Sequence, residues 1–422
     1  MDKEKDKTTE QSAEQTLEQT AEQSVAGNLT DRDVTAHTAA LWKYKPVPES
    51  PEPYPESLCQ GKNSDGFRVI AASVRGKKHK HEGSNRDDAF AFDICGGAVI
   101  AAVSDGAGSK PLSRIGAKHA CDAVLKFAKM RMAAIERDLP DYKKSLGKAF
   151  DDPDFGNVCS ELAGMLRDSC AEAYSALEAA YEKRKDLPEF EESLGRKPEI
   201  KDFSCTLLIS VIIPVDTANG KEYLTAALQI GDGMIAAFDE NADFGSALVI
   251  LGAADSGGFA GETEFLTTEQ MRSAENLMSR TKIRRGKMTC LMLMTDGVAD
   301  DYYPNDPQLL RLMLDMRLNG ILPVAASEDG ENTEVNIPDP TEYPWVNDSD
   351  VRYALQYTKG VLSVSGLTLE QLWKNRSVQE KACLKAFDIA YEKHPEDMLQ
   401  LWLDNYVERG SFDDRTLLIV NC

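Results

Sequence analysis

The chain has 422 residues, 42% of them hydrophobic, and a formal net charge of −22. Its apolar content suffices for a sizeable core, in one large domain or two ordinary ones. Its negative field repels phosphate backbones and anionic lipid, which argues against nucleic acid and membrane as partners and suits divalent cations or phosphopeptides with basic flanks.

Residues 1 to about 30 repeat Glu-Gln at four-residue spacing (Glu10-Gln11, Glu14-Gln15, Glu18-Gln19, Glu22-Gln23) with almost nothing apolar to bury. Disorder is expected there, since no burial offsets the ordering entropy. Pro46, Pro48, Pro51, Pro53 and Pro55 follow and predict a stiff, extended linker. Residues 1–60 are therefore expected to be tail and linker, and residues 61–422 the folded domain.

Short apolar runs predict strands at Phe67–Val74, Ala89–Ile94 and Ala98–Ser104. Two long helical patterns come next: Ala117, Ala120, Cys121, Val124 and Ala128 share one face, and Phe155, Val158, Cys159, Leu162, Leu166, Cys170, Ala173, Leu177 and Ala180 another. Strands resume at Thr206–Val211, Thr225–Ile230, Met234–Phe238, Leu248–Leu251 and Cys290–Met294. Helices are predicted at Leu369–Trp373, Val378–Tyr391 and Met398–Val407, with Trp373, Leu399 and Trp402 as core residues, before a last strand at Thr416–Val420. This order does not alternate strand and helix as a doubly wound parallel sheet would, and suits two antiparallel sheets covered by helices. Residues 326–350, acidic and proline-bearing without Lys or Arg, are expected to be a solvated loop insertion.

The nine cysteines are scattered, with no Cys-x-x-Cys pair, and most of them read as core thiols of a reducing compartment. The acidic start lacks the apolar segment of a signal peptide, and no run approaches the ~18 apolar residues of a membrane span. A cytoplasmic protein is expected.

Three apolar runs end in Asp-Gly, at Asp105-Gly106, Asp232-Gly233 and Asp296-Gly297, and Asp413-Asp414 precede the last strand. One Asp-Gly is an ordinary turn. Several at one edge of a sandwich would gather carboxylates that cannot all stay ionised near neutrality without cations. Oxygen donors with no nearby His or Cys select hard ions such as Mg²⁺ or Mn²⁺.

With these residues the chain resembles the metal-dependent serine/threonine protein phosphatases (PPM, type 2C). The matching segments are Asn85-Arg86-Asp87-Asp88-Ala89, Val103-Ser104-Asp105-Gly106-Ala107-Gly108, Ser204-Cys205-Thr206, Gly231-Asp232-Gly233, Thr295-Asp296-Gly297 and Asp413-Asp414-Arg415-Thr416. The segment from Ser104 to Ala117 and residues 256–268 resemble the bacterial branch. The resemblance implies an α+β fold, a four-layer αββα sandwich of two antiparallel sheets flanked by helix pairs. It implies two Mn²⁺ or Mg²⁺ ions, Asp105 bridging them, the Gly106 carbonyl on one, Asp296 and Asp413 on the other, and Asp232 helping to hold a third. Asp87 and Asp88 would hold bound waters, residues 234–290 would form a flap, and a water would attack phosphorus directly. The implied substrate is a phosphorylated protein, with a cognate serine/threonine kinase as a partner.

Eukaryotic members carry a phosphate-binding arginine where this chain has Gly83. The candidates to replace it are Arg75, Lys77, Lys78, His79 and Arg86, with His79 favoured because Gly76-x-x-His79 resembles the bacterial branch. The alternative from another class is a catalytically silent binding or regulatory protein on the same fold.

Overall fold

Among the residues described by the computed structural model (43–49, 51–252, 263–324, 335–338, 357–387, 394–406 and 412–422), the strands form two antiparallel sheets. The strands are β1 Ser57–Ser64, β2 Phe67–Val74, β3 Ala89–Cys95, β4 Ala98–Ser104, β5 Leu207–Thr217, β6 Gly220–Ile230, β7 Met234–Phe238, β8 Leu248–Gly252, β9 Thr281–Gly286, β10 Cys290–Met294 and β11 Arg415–Asn421. One sheet runs β1-β2-β11-β10-β7-β8 and the other β3-β4-β5-β6-β9.

The period-two alternation of strand side chains sorts these residues into layers. Val69, Ala71, Val99, Ala101, Val103, Leu291, Leu293, Leu418 and Val420 meet between the sheets. Their neighbours Ala98, Ile100 and Ala102 face the long helices α2 Ser113–Asp138 and α3 Pro153–Arg184. Ile70, Ala72, Met292, Leu417 and Ile419 face a second helical layer that includes α5 Asn305–Leu318 and α6 Pro395–Asn405. The result is the expected four-layer sandwich. Because both faces of these strands are covered, their sequences are continuous apolar runs rather than alternating ones. Helix α3 begins where Asp152 caps the Asp154 amide at 2.9 Å and Pro153 takes the first helical position.

Trp373, Leu399 and Trp402 are core residues, as expected. All nine cysteines are free thiols. No helix of the described residues is long and apolar enough to cross a membrane.

One boundary differs from expectation. The packed unit begins at Tyr44 rather than near residue 60: Ser57–Ser64 pairs along its length with Phe67–Val74, and Pro51 is buried. The proline-rich stretch is docked by arginines that seek its carbonyls, since prolines leave those acceptors without a ladder partner. Within the expected flap at 234–290, β7, β8 and β9 are strands of the two sheets; its glycines at 257, 258 and 261 lie outside the described residues. So do residues 1–42 and, apart from 335–338, the acidic insertion.

Candidate active site

Register brings the aspartates to one edge. Antiparallel pairing of β10 with β11 sets Met294 opposite Leu417 and continues as the Thr295 amide donates to the Thr416 carbonyl at 3.2 Å, so the residues after β10 and before β11 are neighbours. At the end of β4, the Asp105 amide donates to Thr206 Oγ1 at 2.8 Å, the Thr206 amide donates to the Asp105 carbonyl at 2.8 Å, and Gly106 bridges to Cys205. Asp296 opens a short helix, α4 Asp296–Ala299, and its Oδ1 accepts the Gly297 amide at 2.7 Å. A Cβ on Gly297 would lie 2.0 Å from the Asp414 carbonyl oxygen, so only glycine lets the two chain segments close in. Asp105, Asp232 and Asp296 each present an oxygen within 4.8 Å of the others.

The leading influences on Asp105 and Asp296 are burial and neighbouring carboxylates. Burial raises the Asp105 carboxyl well above the carboxylate range, and the charges of Asp296 and Asp88 add to it. Burial likewise raises Asp296, helped by Asp232 and Asp413. Burial, then the charge of Asp414, pushes both Asp87 and Asp88 up to about 7. Asp88 Oδ2 accepts from Thr295 Oγ1 at 2.9 Å and Thr416 Oγ1 at 2.7 Å, and Thr263 donates to Asp232 Oδ2. The other oxygens, Asp88 Oδ1 and Asp232 Oδ1, are buried with no donor among the described residues. Buried carboxylate oxygens without partners are costly, and an all-oxygen donor set of this kind fits divalent hard cations.

The adjacent pair before β11 splits. Asp413 is exposed, accepts the Asp414 amide at 2.9 Å, and its charge acts on both Asp105 and Asp296. Asp414 is buried and accepts from the Gly76 amide at 2.6 Å, His79 Nδ1 at 2.9 Å and the Asp87 amide at 2.5 Å. Burial would raise Asp414, but the hydrogen bonds and charge of His79 and the two amides outweigh it and hold it below the usual range. Burial would lower His79, but Asp414, with Asp87 and Asp413 behind it, holds it at about 9. His79 therefore carries a proton at neutral pH. His79, Asp413 and Asp414 form a second group with ligand atoms within 4.8 Å.

Two of the other expected phosphate-binding residues, Arg75 and Arg86, are engaged elsewhere. Buried Arg75 donates to the Lys45 carbonyl at 3.0 Å, Glu56 at 2.7 Å and the His79 carbonyl at 2.8 Å. Buried Arg86 donates to the Pro55 carbonyl at 3.1 Å, Ser73 Oγ at 2.5 Å and the Asp88 carbonyl at 2.6 Å. Both guanidiniums are committed to backbone carbonyls. Gly83 ends a helix, α1 Lys77–Glu82, with φ 83, a left-handed conformation that an arginine there would adopt only with strain. Arg114 is the residue that sequence reasoning passed over: it lies in the segment resembling the bacterial branch, 3% exposed, and its charge acts on Asp87.

A family model described as protein phosphatase 2C matches residues 75–322, more than half of the chain. A search of curated proteins finds no match. Among solved structures, a bacterial serine phosphatase is 11% identical, covering 84% of this chain and 96% of its own, with a TM-score of 0.38. RsbX in complex with magnesium is 10% identical, covering 86% and 99%, with a TM-score of 0.30. A phosphatase from Toxoplasma gondii is 12% identical, covering 86% and 95%, with a TM-score of 0.34.

Proposed function

Because the chain belongs to the protein phosphatase 2C family of metal-dependent phosphatases, we propose that it hydrolyses phosphoserine and phosphothreonine in proteins. Asp105, the Gly106 carbonyl, Asp296 and Asp413 would hold two Mn²⁺ or Mg²⁺ ions, with Asp232 helping to hold a third. The observation that carries this reading is the set of strand-end carboxylates, Asp105, Asp232 and Asp296, gathered within 4.8 Å, with Asp105 and Asp296 raised by burial and then by neighbouring carboxylates. When bound, such ions supply Lewis acidity toward water and phosphate oxygens.

The chain's own residues have separable tasks. Asp105 is the shared anchor, since both Asp296 and Asp88 crowd it. Asp88, oriented by Thr295 and Thr416, and Asp87, whose amide is fixed by Asp414, hold and orient the attacking water. His79 pins Asp414 and thereby the entry to β11. A chain of net charge −22 repels an anionic phosphate at long range, and bound cations would offset that repulsion at the site. A cytoplasmic phosphoprotein, with the kinase that modifies it, completes this reading.

The test is turnover of p-nitrophenyl phosphate and of a phosphothreonine peptide with Mn²⁺, before and after EDTA. Turnover of both, abolished by EDTA, is expected. Activity that survives exhaustive chelation would overturn the metal mechanism; turnover of the aryl phosphate alone would overturn the protein substrate; no turnover with Mn²⁺ bound would favour the silent binding protein.

A further inference from the structure

Residues 51–56 precede both the first strand and the span that matches the family, yet their polar bonds lead to the acidic loop Asn85–Asp88. At one end they are clamped by the two long helices. Arg114, in the first turn of α2, donates to the Pro51 carbonyl at 2.7 Å, the Glu52 carbonyl at 3.2 Å and the Pro111 carbonyl at 2.7 Å, and its guanidinium sits 5.8 Å from the centre of the Tyr54 ring. Arg184, at the end of α3, grips the Glu52 carboxylate with bonds of 2.6 and 2.8 Å. Glu52 has φ 49, alone among the described non-glycine residues in having a positive φ. A left-handed residue with a side chain is disfavoured and persists only where its surroundings over-determine it; here the two arginines do so.

At the other end the segment holds the loop. The Tyr54 amide donates to Asn85 Oδ1 at 2.9 Å, and Arg86 Nε donates to the Pro55 carbonyl at 3.1 Å while Arg86 also holds the Asp88 carbonyl at 2.6 Å. Asn85 and Arg86 are buried, so these bonds are shielded from competing water.

We propose that residues 51–56 are a strap that positions Asp87 and Asp88, with Arg114 as its positioning residue, and that the strap thereby sets the site's affinity for divalent cations. The proposal rests on the metal reading above. Residues that orient a metal site from behind its direct ligands typically change metal affinity by about 10- to 100-fold when altered.

The experiment is a Mn²⁺ titration of the full chain by isothermal calorimetry, alongside turnover of p-nitrophenyl phosphate at saturating Mn²⁺, for wild type, Asn85→Ala, Arg114→Met and Arg114→Lys. Asn85→Ala and Arg114→Met are expected to weaken Mn²⁺ binding about tenfold or more, with Arg114→Lys intermediate because it keeps a charge near Asp87 but cannot reproduce the forked contacts. Turnover at saturating Mn²⁺ should fall by less than the affinity does. If Arg114→Met does not fold, Asn85→Ala, which removes a single acceptor, carries the test. Variants that melt earlier but bind Mn²⁺ within twofold of wild type would show a merely structural strap and overturn the proposal. No Mn²⁺ binding by folded wild type would overturn the metal reading, and the strap's role with it.

Discussion

Asp414 and the Asp105–Asp232–Asp296 group lie at the same edge of the sandwich and are the same residue type in opposite circumstances. Asp414 is fully served by the protein: His79 and two backbone amides take its lone pairs, and its acidity rises despite burial. Asp105 and Asp296 lose acidity to burial and then to neighbouring carboxylates, Asp296 and Asp88 acting on Asp105, and Asp232 and Asp413 on Asp296. The difference teaches where chemistry is held in reserve. A carboxylate that the fold already neutralises is structural, whereas a buried group that the fold leaves unneutralised calls for something from outside.

Breaking the comparison at its unserved side should have the largest effect. Asp105→Asn and Asp413→Asn are each expected to lower turnover of p-nitrophenyl phosphate by several orders of magnitude at saturating Mn²⁺ while the circular dichroism spectrum stays native. Retention of more than about a tenth of wild-type turnover in Asp105→Asn would remove it as the shared anchor.

Its served side should respond in stability. Asp414→Asn strips a buried charged partner from His79. A loss on the order of 3 kcal/mol is predicted, read by urea unfolding, with the remaining folded protein still binding Mn²⁺. An unchanged midpoint would mean that His79 and Asp414 do not form a charged pair.

The pH dependence sharpens the contrast. Asp87 and Asp88 are held at about 7 in the folded chain, against about 4 when unfolded. Between those values the folded chain binds more protons, so these groups make stability fall as pH rises through that window. Melting in EDTA should therefore weaken from pH 5 to pH 8 more than melting in Mn²⁺. Parallel curves would contradict the raised carboxyls.

The smallest effect belongs to an ordinary surface carboxylate. Asp93, paired with Lys62 and Lys129, is held at about 2 by those lysines and the Ile94 amide in spite of its partial burial. Its contribution is present above about pH 4 and lost as pH falls toward 2. Asp93→Asn should change stability by well under 1 kcal/mol at pH 7; a larger loss would show that this pair is more than a surface contact.

The central strands were legible because they are buried on both faces: Met234–Phe238 and Cys290–Met294 are apolar throughout and match their predicted bounds. The edge strands β1 and β9 were not, since Ser57–Ser64 and Thr281–Gly286 carry polar residues at solvated positions and lack the apolar run that marks a strand. Helix α1, with the sequence KKHKHE, has no apolar face; His79 alone is buried, and its partner Asp414 is 335 residues away. The strand-end aspartates were legible as a repeated motif. The split between Asp413 and Asp414, and the docking of Pro51–Glu56 through Arg114, were not, because each depends on contacts between segments far apart in the chain.

The claim that the strand-end carboxylates are poised for cations is tested most directly by melting temperature at pH 8 for wild type and Asp105→Asn, each in EDTA and in Mn²⁺. The account predicts that Asp105→Asn melts above wild type in EDTA, because a repelling charge is gone, and that Mn²⁺ raises wild type by several degrees but leaves the variant nearly unmoved. A wild-type protein indifferent to Mn²⁺, with an Asp105→Asn variant that melts lower in EDTA, would contradict it.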